Sequence, residues 1–447
     1  MRKGILIGIA AGTVAIGAAA APPIIGTITQ QEFAHVRDRA TAASPFVHGW
    51  EMTSFDQGYL GATATSELTV GDPDTDERLT IVLDHRIQHA PTVGTDLARI
   101  VTEPRIPEGR VRETVRALYG DDRKPLRVNT RIDWFGTRTI HMHSPATDGM
   151  REIDGGQVSW GGLDATVTVG RGDRDLAYQV DMPGLHLQPG DGEFTGLRIN
   201  AVEASGRYEE TAFEHVWSGG ASGGVERIEL DTPNGGGFVL SDLRFSDEAG
   251  LRDDLLGFAL KVSAAALESP EYQLSRLRLN LSGEGIAPSF LQHVQQTFTD
   301  GDQPIDTDDI MARLRAAPWG EIAAHEPQIR LDTFEAHTAD GRLEISAQAG
   351  LAEPGEGRQA IGMDDLIGLA QGEISAVAPE PMVIDAVARS IEMRGDTDPA
   401  RAKRDATNTL RTLAAQGLLT LDNGQLEASA SYDRGAIRIN GRSLFGG

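Results

Sequence analysis

Tyr59-Leu60-Gly61-Ala62-Thr63-Ala64-Thr65-Ser66-Glu67-Leu68-Thr69-Val70, followed after a Gly71–Glu77 turn by Leu79-Thr80-Ile81-Val82-Leu83, decides the fold class of this chain. Ala62, Ala64, Ser66, Leu68 and Val70 recur at every second position. A period of two puts those side chains on one face of a strand, whereas a helix needs apolar residues three and four apart. The two runs with the polar turn between them read as a β-hairpin. The alternation reaches back to Trp50, so a strand is expected from Trp50 to Val70.

Working outward, the same period predicts strands at Leu126–Trp134, Arg138–His143, Gln157–Val169, Leu176–Met182, Glu193–Ala204, Gly206–Val216 and Val225–Leu230. Gly and Pro punctuate them roughly every ten residues, the spacing of a meander rather than of βαβ units. Gly196-Leu197-Arg198-Ile199, Asp242-Leu243-Arg244-Phe245, Arg276-Leu277-Arg278-Leu279 and Gln328-Ile329-Arg330-Leu331 alternate apolar residues with arginine, one buried and one solvated face per strand. Helical periodicity is read at Asp96–Val101 and at Glu108–Tyr119, where Val111, Val115 and Leu118 share a face. It returns at Pro288–Thr299, Asp306–Ala317, Met363–Gln371, Pro381–Met393 and Pro399–Gln416. The last starts on Pro399, stripes Ala402, Ala406, Leu410 and Leu413, and stops at Gly417. Leu418–Leu421, Gln425–Tyr432 and Ala436–Ile439 close the chain as short strands around the turns Asn423-Gly424 and Asp433-Arg434-Gly435.

The expected fold is α+β and β-dominated: long antiparallel meander sheet or sheets with packed helices, preceded by one N-terminal transmembrane helix. The regions are 1–28, a membrane anchor or signal peptide; 29–150, α+β; 151–350, antiparallel β with a helical insert at 288–317; and 351–447, helices and terminal strands. At 447 residues the chain has ample length for a core. No cysteine means no disulfide, thiolate zinc site, iron–sulfur cluster, thiol nucleophile or lipoprotein cysteine. A formal charge of -25 argues against nucleic acid, whose binding rests on neutralising phosphates.

Arg2 and Lys3 precede an apolar stretch from Gly4 to Ile28. Gly4–Ala21 as a helix would span about 27 Å, near the thickness of a bilayer core. The two charges orient the rest outward, which predicts a single-pass bacterial inner-membrane protein with its bulk in the periplasm. A signal peptide cleaved among Ala18–Ala21 is the rival reading.

Candidate chemistry is sparse. His141-Met142-His143 puts two imidazoles on one strand face, but no third zinc ligand is matched to them. His85 and His89, beside Asp84, sit in strand-like rather than helical surroundings. His89-Ala90-Pro91 reads as a turn. Gly220-Ala221-Ser222-Gly223-Gly224 spells a nucleophile pattern that requires a strand before it and a helix after, yet a strand follows, so a glycine hairpin is expected. Neither this loop nor Asn234-Gly235-Gly236-Gly237 continues into a phosphate loop. Asp72–Asp76 imitates a calcium loop but has Glu77 where glycine turns and Leu83 where the bidentate glutamate belongs. Asp306–Asp309 suits a helix N-terminus. Trp134, Trp160, Trp217 and Trp319 are expected in the core. No catalytic, cofactor or metal residue is assigned, and no cofactor.

Several motifs together resemble the YdgA-like family of bacterial envelope proteins, a family of unknown function. They are Phe55-Asp56-Gln57-Gly58-Tyr59-Leu60, Asp84–Pro91, Val158-Ser159-Trp160-Gly161-Gly162-Leu163, Met182-Pro183-Gly184-Leu185, Val216-Trp217-Ser218-Gly219 and Ile437-Arg438-Ile439-Asn440-Gly441. Gln57 and Ala90 depart from that family's arginine and glycine. The resemblance implies an inner-membrane-anchored, periplasm-facing protein and no catalytic residues. The functional expectation is a binding or scaffolding role in the envelope, touching lipid through an apolar sheet face. The alternative is a hydrolase or metal-dependent enzyme using Ser222 or His141 and His143. Strand edges in a shared membrane plane favour homo-oligomers. Acidic surfaces predict poor contact with anionic headgroups away from the anchor.

Overall fold

The computed structural model describes residues 47–58, 61–71, 78–89, 96–106, 109–120, 123–153, 155–190, 195–213, 216–233, 235–270, 272–290, 319–353, 363–394 and 398–443. The anchor, the calcium-loop mimic Asp72–Asp76, Asp306–Asp309 and nearly all of the 288–317 insert lie outside them. Two compact units emerge. Unit 1 takes the described residues through Glu209 with Gly223–Phe238; unit 2 takes Glu210–Ser222 with the described residues from Val239 onward.

Unit 1 begins with β1 (Val47–Gln57), β2 (Gly61–Gly71), β3 (Arg78–His89) and β4 (Ala98–Arg105), each antiparallel to the next. The expected strand from Trp50 to Val70 is thus two strands, reversing between Gln57 and Ala62. The expected hairpin is present, with Val70 opposite Leu79 and Ser66 opposite Leu83. Ala62, Ala64, Ser66, Leu68 and Val70 are all buried. Asp96–Val101 is not helical. Ala98, Ile100 and Thr102 are buried at alternate positions of β4, and pairing on both sides overrides a weak local preference.

Helix α1 (Arg110–Tyr119) follows as expected and packs Leu118 against Val158 and Leu187. Then come β5 (Arg127–Ile132), β6 (Arg138–Ser144), β7 (Arg151–Ile153), β8 (Gly156–Trp160), β9 (Leu163–Val169), β10 (Asp175–Gln188) and β11 (Gly196–Glu210). β5 joins β4 to β6, β9 joins β6 to β10, and β8 also pairs with β10. Gln157–Val169 is therefore two strands, bent at Gly161-Gly162 so that β10 can serve both. Gly161 N–H donates to Gly184 O at 2.7 Å, and a Cβ on Gly161 would stand 2.7 Å from Gly184 N. Two of the short sequence motifs quoted above meet at this crossing. Glu193–Ala204 and Gly206–Val216 are mostly one strand, β11, which tolerates Ala201 at φ 44° in its interior. Trp50, Leu68, Leu83, Val128 and Ile140 anchor the unit 1 core.

β12 (Trp217–Asp231) and β13 (Gly237–Arg252) each give residues to both units. Unit 2 continues with β14 (Leu255–Glu268), β15 (Gln273–Ile286), helix α2 (Trp319–Ala324), β16 (Gln328–Thr338), β17 (Gly341–Leu351), β18 (Ala370–Pro379), helices α3 (Glu380–Arg394) and α4 (Pro399–Ala415), β19 (Thr420–Asp422), β20 (Gln425–Asp433), β21 (Ala436–Ile439) and β22 (Arg442–Ser443). Strands β13 to β18 form an antiparallel meander, and β20 docks beside β18. Met363–Gln371 is a 3-10 turn over Met363–Gly368 that runs into β18, not an α-helix. The described residues flanking the insert meet each other: Phe290 and Trp319 rings lie 5.6 Å apart, and Ser289 Oγ donates to Glu321 Oε1.

α4 forms as its sequence dictates. Pro399 occupies the first turn, Asp398 Oδ2 accepts from Arg401 N–H at 3.1 Å, and Gly417 takes φ 70° just past the end. α3 and α4 pack on each other through Ala388, Ala402 and Ala406. Asn440 Oδ1 accepts from Ser429 N–H, tying the Asn440-Gly441 turn to β20.

One residue of the unit 1 core is poorly matched to its site. Thr130 is fully buried and its Oγ1 has no hydrogen-bond partner. Valine has the same shape without the hydroxyl, so Thr130→Val should raise stability by ~1–2 kcal/mol, read as a higher urea midpoint with unchanged slope.

Candidate functional site

The residues singled out for chemistry do not converge. His141 and His143 are exposed on β6, each facing a β9 neighbour: His141 Nδ1 lies 3.2 Å from Thr166 Oγ1, and His143 Nδ1 lies 2.9 Å from Asp164 Oδ1. Among the described residues no group of three or more His, Asp or Glu side chains is placed to hold a metal ion. Ser222 is exposed in the middle of β12. The glycine-rich stretch around it is strand, not the hairpin expected. Its glycines permit close strand approach: a Cβ on Gly220 would lie 2.4 Å from Asp247 O. With strand on both sides, Ser222 has neither the sharp turn nor the helix N-terminus that an exposed nucleophile needs.

His85 sits in a strand, as its surroundings predict, but inside the core. It lies on the buried face of β3, where Trp50 Nε1–H donates to Ser66 Oγ at 2.9 Å, Ser66 Oγ lies 2.8 Å from His85 Nε2, and His85 Nδ1 lies 2.9 Å from Thr102 Oγ1. Four adjacent strands are thereby linked by one chain of polar side chains inside an apolar core. All four residues are almost completely buried, so the serine–histidine contact is closed to any substrate. Burial pushes the His85 imidazole down from 6.5 to about 4, and the neighbouring Asp84 charge works the other way. The group is neutral at pH 7 and braces the sheet.

Trp134 corrects the expectation of a core tryptophan. It is 61% exposed, next to Phe135 at 76%. Trp160, Trp217 and Trp319 are half-buried.

An extended surface feature lies among the described residues of unit 2. Register aligns Phe245, Val262, Leu279, Phe334, Ile345 and Ala376 in one row from β13 to β18. Leu260, Leu281, Leu331, Ala347, Ile374 and Ala430 form the next row, from β14 to β20. Residues directly opposite one another share a face. Six strands at about 4.8 Å spacing make the first row about 24 Å wide. β16 reads Leu331-Asp332-Thr333-Phe334, which breaks strict alternation, and a bulge there keeps Leu331 and Phe334 on the same side. None of these twelve residues is fully buried, and Ile374 is 47% exposed.

The other face of the same strands is charged. Arg278, Glu335 and Glu344 lie opposite one another, with Arg342 N–H groups bonding both carboxylates. His337 Nε2 donates to Glu335 Oε1 at 2.8 Å. That hydrogen bond, aided by the Arg342 and Arg278 guanidiniums, holds the Glu335 carboxyl below the usual range. Arg330 pairs with Glu284 at 2.6 Å. The apolar–arginine alternation read from the sequence is realised here. What sequence could not show is the lateral register that joins separate strands into continuous rows.

The family model described as bacterial protein of unknown function (DUF945) matches residues 1–444. The chain belongs to this family. No curated protein and no solved structure matches it. DUF945 membership covers both units, so the closed core of unit 1 and the half-open sheet of unit 2 belong to a single family assignment.

The His85 chain makes the DUF945 protein sensitive to acid. Its folded imidazole binds a proton less readily than the unfolded one, so the associated stability is present above pH ~6.5 and is lost as pH falls toward 4. Between those limits ~3 kcal/mol should disappear from this group. Urea midpoints at pH 7 and pH 5, followed by far-ultraviolet circular dichroism, should differ more in the parent than in His85→Gln.

Proposed function

We propose that the chain is a membrane-anchored, extracytoplasmic protein of the bacterial envelope with a binding or scaffolding role. Its working surface is the half-open apolar sheet face of unit 2, which takes up lipid. The observation that carries the reading is the pair of aligned apolar rows described above. A continuous apolar patch of this breadth on a soluble chain marks an interaction surface. The twelve side chains of the two rows are all apolar, with Asp247 opposite Leu260 at the β13 end, an arrangement that suits a hydrocarbon chain with a polar end better than a wholly polar ligand.

The anchored, exported arrangement draws on other features. Gly4–Ile28 is apolar behind Arg2 and Lys3, and the chain contains no cysteine. The YdgA-like resemblance points the same way. Among the described residues no helix is long and apolar enough to cross a membrane.

The cysteine-free chain gives a direct test. Ser222→Cys introduces one exposed thiol without disturbing a core position. In intact cells whose outer membrane has been permeabilised, a membrane-impermeant maleimide should label it. Labelling only after the inner membrane is broken would overturn the exported topology. Native mass spectrometry of the full-length protein, extracted gently from its own membrane, should show residues 1–28 retained and a lipid-mass adduct. Ile374→Asp should remove most of that adduct while leaving the fold intact, because Ile374 is already largely exposed.

A further inference from the structure

The β5–β6 turn of unit 1 combines rigidity with exposed aromatic surface. Asp133 Oδ1 accepts from both Phe135 N–H at 2.8 Å and Thr137 N–H at 2.9 Å, and Asp133 N–H donates to Thr137 O at 3.0 Å. Gly136 supplies the left-handed conformation, φ 85°, that the reversal requires. Trp134 and Phe135 project from this closed frame. The neighbouring Gly170–Asp175 turn is fastened alongside by the Arg138–Asp173 ion pair. Arg131, Arg171 and Arg174 are exposed around the two turns. Across residues 96–99, 131–138 and 170–175 arginines outnumber carboxylates five to four, in a chain whose carboxylates exceed its basic residues 66 to 41.

We propose that this tip is a contact with the membrane interface: Trp134 and Phe135 enter the headgroup region while Arg131 and Arg171 meet lipid phosphates. The assignment is independent of the sheet face of unit 2. Two aromatic side chains bury about 150–250 Å² each, well below the roughly 800 Å² per partner of a stable protein interface. The local reversal of charge suits phosphate, which arginine binds in bidentate fashion, and tryptophan favours the interfacial zone.

The test uses the full-length chain reconstituted in vesicles of phosphatidylcholine with a minor share of phosphatidylglycerol, with brominated acyl chains. Bromine should quench emission that is present in the parent and missing from Trp134→Phe, and iodide in the aqueous phase should lose access to it. Replacing Arg171 by serine should weaken tip insertion about fivefold. Phe135→Ser should weaken it also, and both variants should keep the parental melting profile because the positions are exposed. If parent and Trp134→Phe are quenched alike, or iodide reaches Trp134 equally with and without vesicles, the proposal fails. If Trp134 becomes shielded in lipid-free detergent as protein concentration rises, the tip is a contact between copies instead and the proposal is equally overturned.

Discussion

Antiparallel pairing between strands that are neighbours in sequence is the constraint on which everything else here depends. Each strand must satisfy its backbone groups laterally, and the two-residue period then decides which side chains share a face. A slip of one residue would turn a whole strand inside out. In unit 1 the Trp50–Ser66–His85–Thr102 chain guards against that slip, because any other register would bury these polar groups without partners. Register and neutral histidine are therefore the same requirement seen twice. Unit 2 has no buried polar chain of this kind among the described residues. Its register is carried by tight turns, such as Asn423-Gly424 at positive φ, and by the Asp332–Thr333 bulge.

This difference explains why the two units present themselves differently. Strict alternation in β2 and β3 gives one face that is sealed, with Leu68 and Leu83 fully inaccessible. In β14 to β18 both faces stay partly open, with aliphatic side chains on one and arginine–carboxylate pairs on the other. Exposed ion pairs of that sort contribute little stability each. They keep the charged side soluble and leave the aliphatic side as the one that gains by being covered.

Much of the fold was legible because its signals are local. The β2–β3 hairpin, α1, α4 with Pro399 and Gly417, and the closing strands all follow from period, caps and turn residues. The failures share a cause. Asp96–Val101 is strand because β3 and β5 flank it, a fact of the assembled sheet. Gly161-Gly162 breaks a run that reads as one strand and Gly220–Gly224 continues as strand where a hairpin is expected, since glycine serves equally in a turn and where two backbones approach closely. Trp134 reads as core from its β-rich surroundings, although Asp133 and Gly136 on either side are turn residues that place it outside. The site suffers most from this limit: Ser66 and His85 are nineteen positions apart, and Phe245 and Ala376 are separated by more than a hundred. Only lateral register unites them.

The meander also governs how the chain comes to be assembled. Most strands find their partner immediately before them, so a chain emerging N-terminus first can add each new strand to an edge that already exists. Low sequence separation of contacts favours fast folding and limits the lifetime of naked edges. Among the described residues three junctions break the rule: β6 must wait for β9 while β7 and β8 pass by, β18 must wait for β20 until both long helices have formed, and β8 must wait for β10. These are the points at which a growing sheet is held open, with β6, β8 and β18 as its temporary templates. Growth at the second depends on α3 and α4 closing quickly on each other through Ala388, Ala402 and Ala406, with Asp398 capping α4.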